Sequence, residues 1–285
     1  MEEDWERPQY EAGGDDASVL LVVFGPKPEP LRVTSLAHRV VPMDLLLELE
    51  YQEPHVAAAL LDSPSGATLL QGWEGEKPSV LAADGCMVMR AEVPDPKDLR
   101  YLRNCVGVAT AVLEAGGRAV ANLQSLGMFT PEQWRGVIFS PDKPQPRLHV
   151  NVFHGEEEPR GAPQGAGSEP RGAPQGAGSE PRGAPQGAGS EPRGAPQGAG
   201  SEPGTLWLHS RGLRAFGRPD LSIRHVPQDA MVAASDLSNR LIETQAYGRV
   251  IPDGPLEGML AHATGSLEDP DFNNRHIELA WPLSV

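Results

Sequence analysis

The residues of this chain that could do chemistry are few, and the first to test are those with ligand spacing. Asp269-x-Asp271-x-Asn273 repeats the opening ligand positions of a calcium-binding EF-hand loop, in which alternate residues aim oxygens at one ion. The pattern fails where such a loop is most demanding. Asn274 stands where the turn needs glycine, and Ala280 where the bidentate Glu belongs. The segment reads as an Asp/Asn-rich turn. His149, Asn151 and His209 form a second candidate. If 148–153 and 205–209 pair as strands, His149 and His209 could face each other, and two imidazoles with an amide could begin a zinc or iron site. No Cys or acidic third ligand is close in sequence, and alternating His and Asn on a strand usually marks its solvent face. The sequence therefore predicts no metal and no cofactor, with His149 and His209 the first candidates should a metal be found.

Nucleophilic and phosphate chemistry have less support. There is no Gly-x-Ser-x-Gly elbow, no Walker loop and no Gly-x-Gly-x-x-Gly after a strand. Cys86 and Cys105, the only cysteines, sit in apolar patterns and read as small buried hydrophobes. Glu278 and Asp271 could pair as acid and base, but any chain so rich in carboxylates offers such pairs. No catalytic residue is assigned.

The elements that would position these residues are interrupted by a perfect repeat. Glu-Pro-Arg-Gly-Ala-Pro-Gln-Gly-Ala-Gly-Ser occurs four times over 158–201, and a fifth copy stops at Pro203. It holds no Leu, Ile, Val or aromatic residue, so it has no apolar surface to offset the entropy of ordering it. The expectation is a disordered insert over 158–202 that interrupts one domain made of 17–157 and 203–285, preceded by a flexible tail over 1–16. Widening a hairpin loop from about 4 to about 44 residues costs only about 2 kcal/mol. The segment after the repeat is marginal for independent folding, and its first strand needs a partner.

Elsewhere the signals alternate between strand and helix. The apolar run 19–24 reads as a strand covered on both faces. Leu45, Leu47 and Leu49 alternate with Glu48 and Glu50. A short helix is expected over 55–61 and a short strand over 67–70. Residues 86–93 read as a strand, Asp95-Pro96 as a helix start, and Leu99, Leu102, Val106, Ala109 and Leu113 as one helical stripe. Gly116-Gly117 stops that helix, and a strand follows over 118–123. Thr130-Pro131-Glu132-Gln133 has capping-box spacing. Beyond the repeat come strands over 205–209 and 221–226, a helix from Pro227 to about Ala246, and short strands at 250–251 and 277–281. The fold class predicted is α+β: a mixed β-sheet with a βαβ-type unit, helices packed on it, and one hairpin loop expanded by the disordered repeat.

Each repeat copy carries one Glu and one Arg, so the formal net charge of −15 belongs to the rest of the 285 residues. Such a chain lacks the Lys/Arg cluster that nucleic acid or an anionic membrane would require. An acidic start without an apolar core is not a secretory signal, and two cysteines fit a reducing compartment. The expectation is a cytoplasmic protein.

Two stretches resemble an uncharacterised bacterial conserved-hypothetical family. Gly116-Gly117-Arg118-Ala119-Val120, followed by Thr130-Pro131-Glu132-Gln133-Trp134, is similar to its "GG-x-AV…SPEEW" segment. Gly212-Leu213-Arg214-Ala215-Phe216-Gly217-Arg218-Pro219-Asp220-Leu221 is similar to its "GL-x-RFG-x-PEL" segment. The resemblance implies a bacterial protein of accessory or immunity type and carries over no catalytic residue. Together with the acidic charge it leads to an expected function of binding a basic protein partner without catalysis. The alternative is a small-molecule hydrolase, or another enzyme whose site leaves no linear motif.

Overall fold

Eight residues without a charge, Ala17–Phe24, form β1, and seven of them are buried. A strand so apolar on both sides must lie between two layers, and it does. The computed structural model describes residues 5–43, 46–143, 145–156, 205–267 and 272–282. After β1 come α1 (Ser35–His38), β2 (Leu47–Gln52), α2 (Pro54–Leu61), α3 (Pro64–Leu69), α4 (Pro78–Ala82), β3 (Cys86–Val93) and α5 (Arg100–Glu114). Then follow β4 (Ala119–Asn122), β5 (Gly127–Phe129), α6 (Pro131–Gln133), β6 (Asn151–Glu156), β7 (Leu206–Arg211), β8 (Asp220–Val226), α7 (Met231–Ala246), β9 (Gly254–Leu256), β10 (Met259–Thr264) and β11 (His276–Ala280).

The fold is α+β and is built on two sheets. The first has the order β2-β3-β1-β4-β5 and is antiparallel throughout. β3 and β4 both run against β1, so they are parallel to each other with β1 between them, and α5 joins them. The expected βαβ-type unit is thus present in its split form. The second sheet, β6-β7-β8-β11-β10-β9, is mixed, because β8 and β11 pair in parallel.

Side chains of α2, α3 and α4 (Ala57, Leu61, Leu69 and Leu81) cover Val22, Phe24, Ala119 and Ala121 on one face of the first sheet. The other face, with Val19, Leu21 and Val23, belongs to a core that includes Leu102, Val106 and Ala109 of α5, Leu208 and Ile223 of the second sheet, and Leu237 and Leu241 of α7. The helical stripe Leu99, Leu102, Val106, Ala109 and Leu113 is buried throughout. Truncating Leu102 to Ala would cost about 2–5 kcal/mol.

β6 and β7 are adjacent and antiparallel, with Phe153 opposite His209. The hairpin expected on either side of the repeat is therefore formed, although the strand begins at Asn151 rather than at 148. The reading of 158–202 as a disordered insert lies outside the described residues.

Several local readings are corrected. Residues 67–70 are not a strand. Ser63 caps α3 by accepting from the Gly66 amide, and Pro64 fits its first turn, so a start signal outweighs a short apolar run. Asp95 does not cap α5, which begins at Arg100. Its backbone is left-handed at φ 24° and its carboxylate is spent elsewhere. Residues 250–251 are not a strand, and the neighbouring hairpin is β9–β10. The tail expected to be loose is anchored from Trp5 onward, with Trp5 and Arg7 buried. Arg7 donates to the carbonyls of Ala246, Pro96 and Gln245 at 2.8–3.0 Å. Composition signalled a polar tail, but a guanidinium that finds three carbonyls holds it down.

Candidate functional site

Neither sequence-chosen histidine is built into a ligand set. His149 lies outside β6, at the end of a 3₁₀ turn over Pro146–Leu148, and is buried with its ring edge-on to Phe216 at 6.2 Å. Burial pushes its pKa down to about 4, because the charged imidazolium would lose its water. His209 stands on the opposite arm of the hairpin, stacked on Trp207 at 4.2 Å and facing the Phe153 ring at 5.5 Å. Burial also lowers its pKa to about 4, helped by Arg211 and Arg224. The two rings do not meet across β6 and β7: the register sets Phe153 opposite His209, and His149 lies outside the strand, two residues before Asn151, which pairs with Arg211. Among the described residues no group of three His, Cys, Asp or Glu could hold a metal. Of the acidic turn, residues 269 and 271 lie outside the described residues, and with them the pairing of Asp271 with Glu278. Asn274 is buried and donates to Asp220 at 2.8 Å. Cys86 and Cys105 are buried in separate clusters, and burial raises both thiols, to about 11 and about 12. They are not poised nucleophiles.

Sequence reasoning missed a concave feature of the surface, a groove along β5. The chain after α3 turns at Gly72 and carries Trp73 out over the sheet edge. The indole Nε1 donates to the Glu76 carbonyl at 2.9 Å, which fixes the ring. Gly75 lies beneath it, where a Cβ would force the Trp73 ring to move. The opposite wall is β5 with its flanks. Asn122 Oδ1 accepts from the amides of Gln124 and Ser125 and shapes the turn, and Asn151 donates to the Ser125 carbonyl at 2.8 Å. The far end is the capping box of α6. Thr130 accepts from the Gln133 amide and Gln133 returns the bond, as its spacing predicted.

The space enclosed is about 490 Å³, lined by Leu69, Trp73, Leu126, Met128, Phe129 and Asn151 among others. It adjoins a second hollow of about 530 Å³ that shares Trp73, Gly75 and Thr130 and adds Glu76, Arg118 and Glu132. The ionisable residues lining the two are Glu74, Glu76, Glu132 and Arg118. Arg118 is already engaged, by Asp84 at 2.6 Å and Glu76 at 3.4 Å. Glu74 and Glu132 are exposed. The groove's exposed lining is therefore mainly polar, with the Trp73 ring and parts of Met128 and Phe129 as its apolar patches and carboxylates at its rim. Neither His nor Cys is among its lining residues, and Thr130 Oγ1 is committed to its cap. The only signal that could have found it was Trp73 among glycines. The edge it overhangs is set by pairing across the chain.

Comparison with protein families, with curated proteins and with solved structures gives no match.

Proposed function

We propose that this chain is an accessory, immunity-like binding module of the cytoplasm that takes a basic protein partner, rather than an enzyme. The observation that carries the reading is the Trp73 groove, an open and mainly polar cleft that presents an aromatic ring and is rimmed by carboxylates. Aromatic residues at a concave surface anchor partners, and a negative rim on a chain of net charge −15 steers and orients a positive one. Among the described residues no helix is long and apolar enough to cross a membrane.

The test is a titration of the full chain against a panel of purified basic and acidic folded proteins at two salt concentrations. Saturable binding confined to basic members and weakened by salt is expected. Absence of saturable binding to every basic member would overturn the reading. So would turnover in a hydrolase substrate screen that Trp73→Ala abolishes.

A further inference from the structure

β5 is the edge strand of the first sheet, and only β4 pairs with it. The pairing pattern shows which of its backbone groups are spent. β4 pairs antiparallel with β1, and the Leu123 amide donates to the Leu20 carbonyl at 3.2 Å. Backbone groups alternate sides along a strand. Ala119 and Ala121 therefore point toward β1, while Val120 and Asn122 point toward β5. Their partners are Phe129 and Gly127. Met128 between them must turn its N–H and C=O to the open side. The groove lies on that side, because it is lined by residues 126–130 and by none of β4. Among the described residues no backbone bond reaches Met128 from there.

From this geometry we infer that the groove binds an extended, basic polypeptide segment by strand addition to Met128, a conclusion that rests on the reading of the groove as a partner site. The incoming strand would exchange two main-chain hydrogen bonds with Met128. Side chains of an added strand alternate between faces. Apolar ones would meet Trp73 and Met128, and the intervening Lys or Arg residues would meet Glu74, Glu76 and Glu132 at the rim. A folded basic partner would present such a segment as a loop or a terminus, since the Trp73 turn walls the groove against a flat surface. Strand addition also ends a liability, since an open edge carries unpaired polar groups. β5 is three residues long, which keeps the edge short enough to tolerate when empty.

The probe is a synthetic peptide that alternates Val with Lys or Arg, labelled for fluorescence polarisation, with the full chain as receptor. Two controls accompany it: the same sequence with alternate backbone amides N-methylated, and one with Glu replacing the basic residues. Hydrogen exchange is read at single amides. Binding of the basic peptide is expected to slow exchange at Met128 about tenfold or more and to leave Gly127 and Phe129, already in the ladder, unchanged. N-methylation, Glu replacement and Trp73→Ala are each expected to weaken binding about tenfold or more. Met128→Pro removes only the outward donor, a change edge strands tolerate, and should weaken binding similarly. The N-methylated peptide gives the same information on unaltered protein should that variant not fold. Equal binding of the plain and N-methylated peptides, or no change at the Met128 amide, would overturn strand addition. Failure of every peptide while folded basic proteins still bind would overturn it too, and leave the partner-binding reading standing.

Discussion

Two polar regions of this molecule use the same residue types to opposite ends. In the seam that closes the N-terminal segment onto the core, the Arg218 side chain is fully buried. It donates to the carbonyls of Gly217, Glu11, Gly248 and Arg249 at 2.7–3.2 Å and to Asp95 at 3.2 Å. Asp95 in turn accepts from Tyr10 and the Gly13 amide. Together, these donors outweigh the burial of Asp95 and hold its carboxyl below the usual range. Hydrogen-bond capacity there is used up inside the fold. Along β5, Met128 keeps a donor and an acceptor turned outward, and Glu74 and Glu132 stay exposed. Saturated polar groups hold structure together. Polar groups left open beside an aromatic ring are available to a partner.

The comparison can be broken first at the seam. Arg218→Ala should cost about 3–5 kcal/mol of unfolding free energy, since it strands Asp95 and several buried carbonyls. Urea denaturation measures it. A loss below about 1 kcal/mol would mean that the seam is not saturated in the way described. The same variant should leave peptide affinity at the groove unchanged under conditions where it is folded.

The pH dependence comes next. Folded His149 has a pKa of about 4 against an ordinary 6.5, so the unfolded chain binds more protons between those values. Its contribution is complete above about pH 6.5 and is lost as the pH falls toward 4, up to about 3 kcal/mol. His209 acts in the same direction. Asp220 opposes them. Burial raises it from 3.8 to about 6, against donors from Asn274, Ser210 and the Leu213 amide that lower it. Its ionisation on raising pH through that window therefore costs stability. Denaturation midpoints measured from pH 4 to 7 should rise, and His149→Gln should flatten the rise. An unchanged slope in that variant would show that His149 is not the group responsible.

Deleting 158–201 should add about 1–2 kcal/mol by shortening the connection from β6 to β7, and should alter neither seam nor groove. A thermal melt and the peptide titration check both halves. The smallest stability effect belongs to the groove itself. Trp73→Ala should change unfolding free energy by no more than about 1 kcal/mol, because the ring is only half-buried, while reducing peptide affinity about tenfold. If stability fell as far as affinity, Trp73 would belong to the core like Trp134, whose indole donates to Thr110 within the buried cluster.

The local signals were legible in the residues themselves. β3 matched its expected span, the capping box at Thr130 formed, and the stripe from Leu99 to Leu113 is buried. Each depends on interactions within a few positions of itself. The β6–β7 hairpin was also readable, because both arms are β-rich and end at the repeat. The repeat itself was defined by composition alone. What required tertiary structure was every decision that joins distant positions. β1 comes to lie between β3 and β4, Asp95 leaves a helix cap for Arg218, and the β6–β7 register sets Phe153, not His149, opposite His209. The groove is of the same kind. Trp73, Met128 and Asn151 carry no shared spacing, and only the pairing of β5 with β4 determines which side of Met128 is left open. Helix caps and alternation are short-range geometry written along the chain. An open edge is a property of the finished sheet, since a strand is an edge only because no other strand has taken the place beside it.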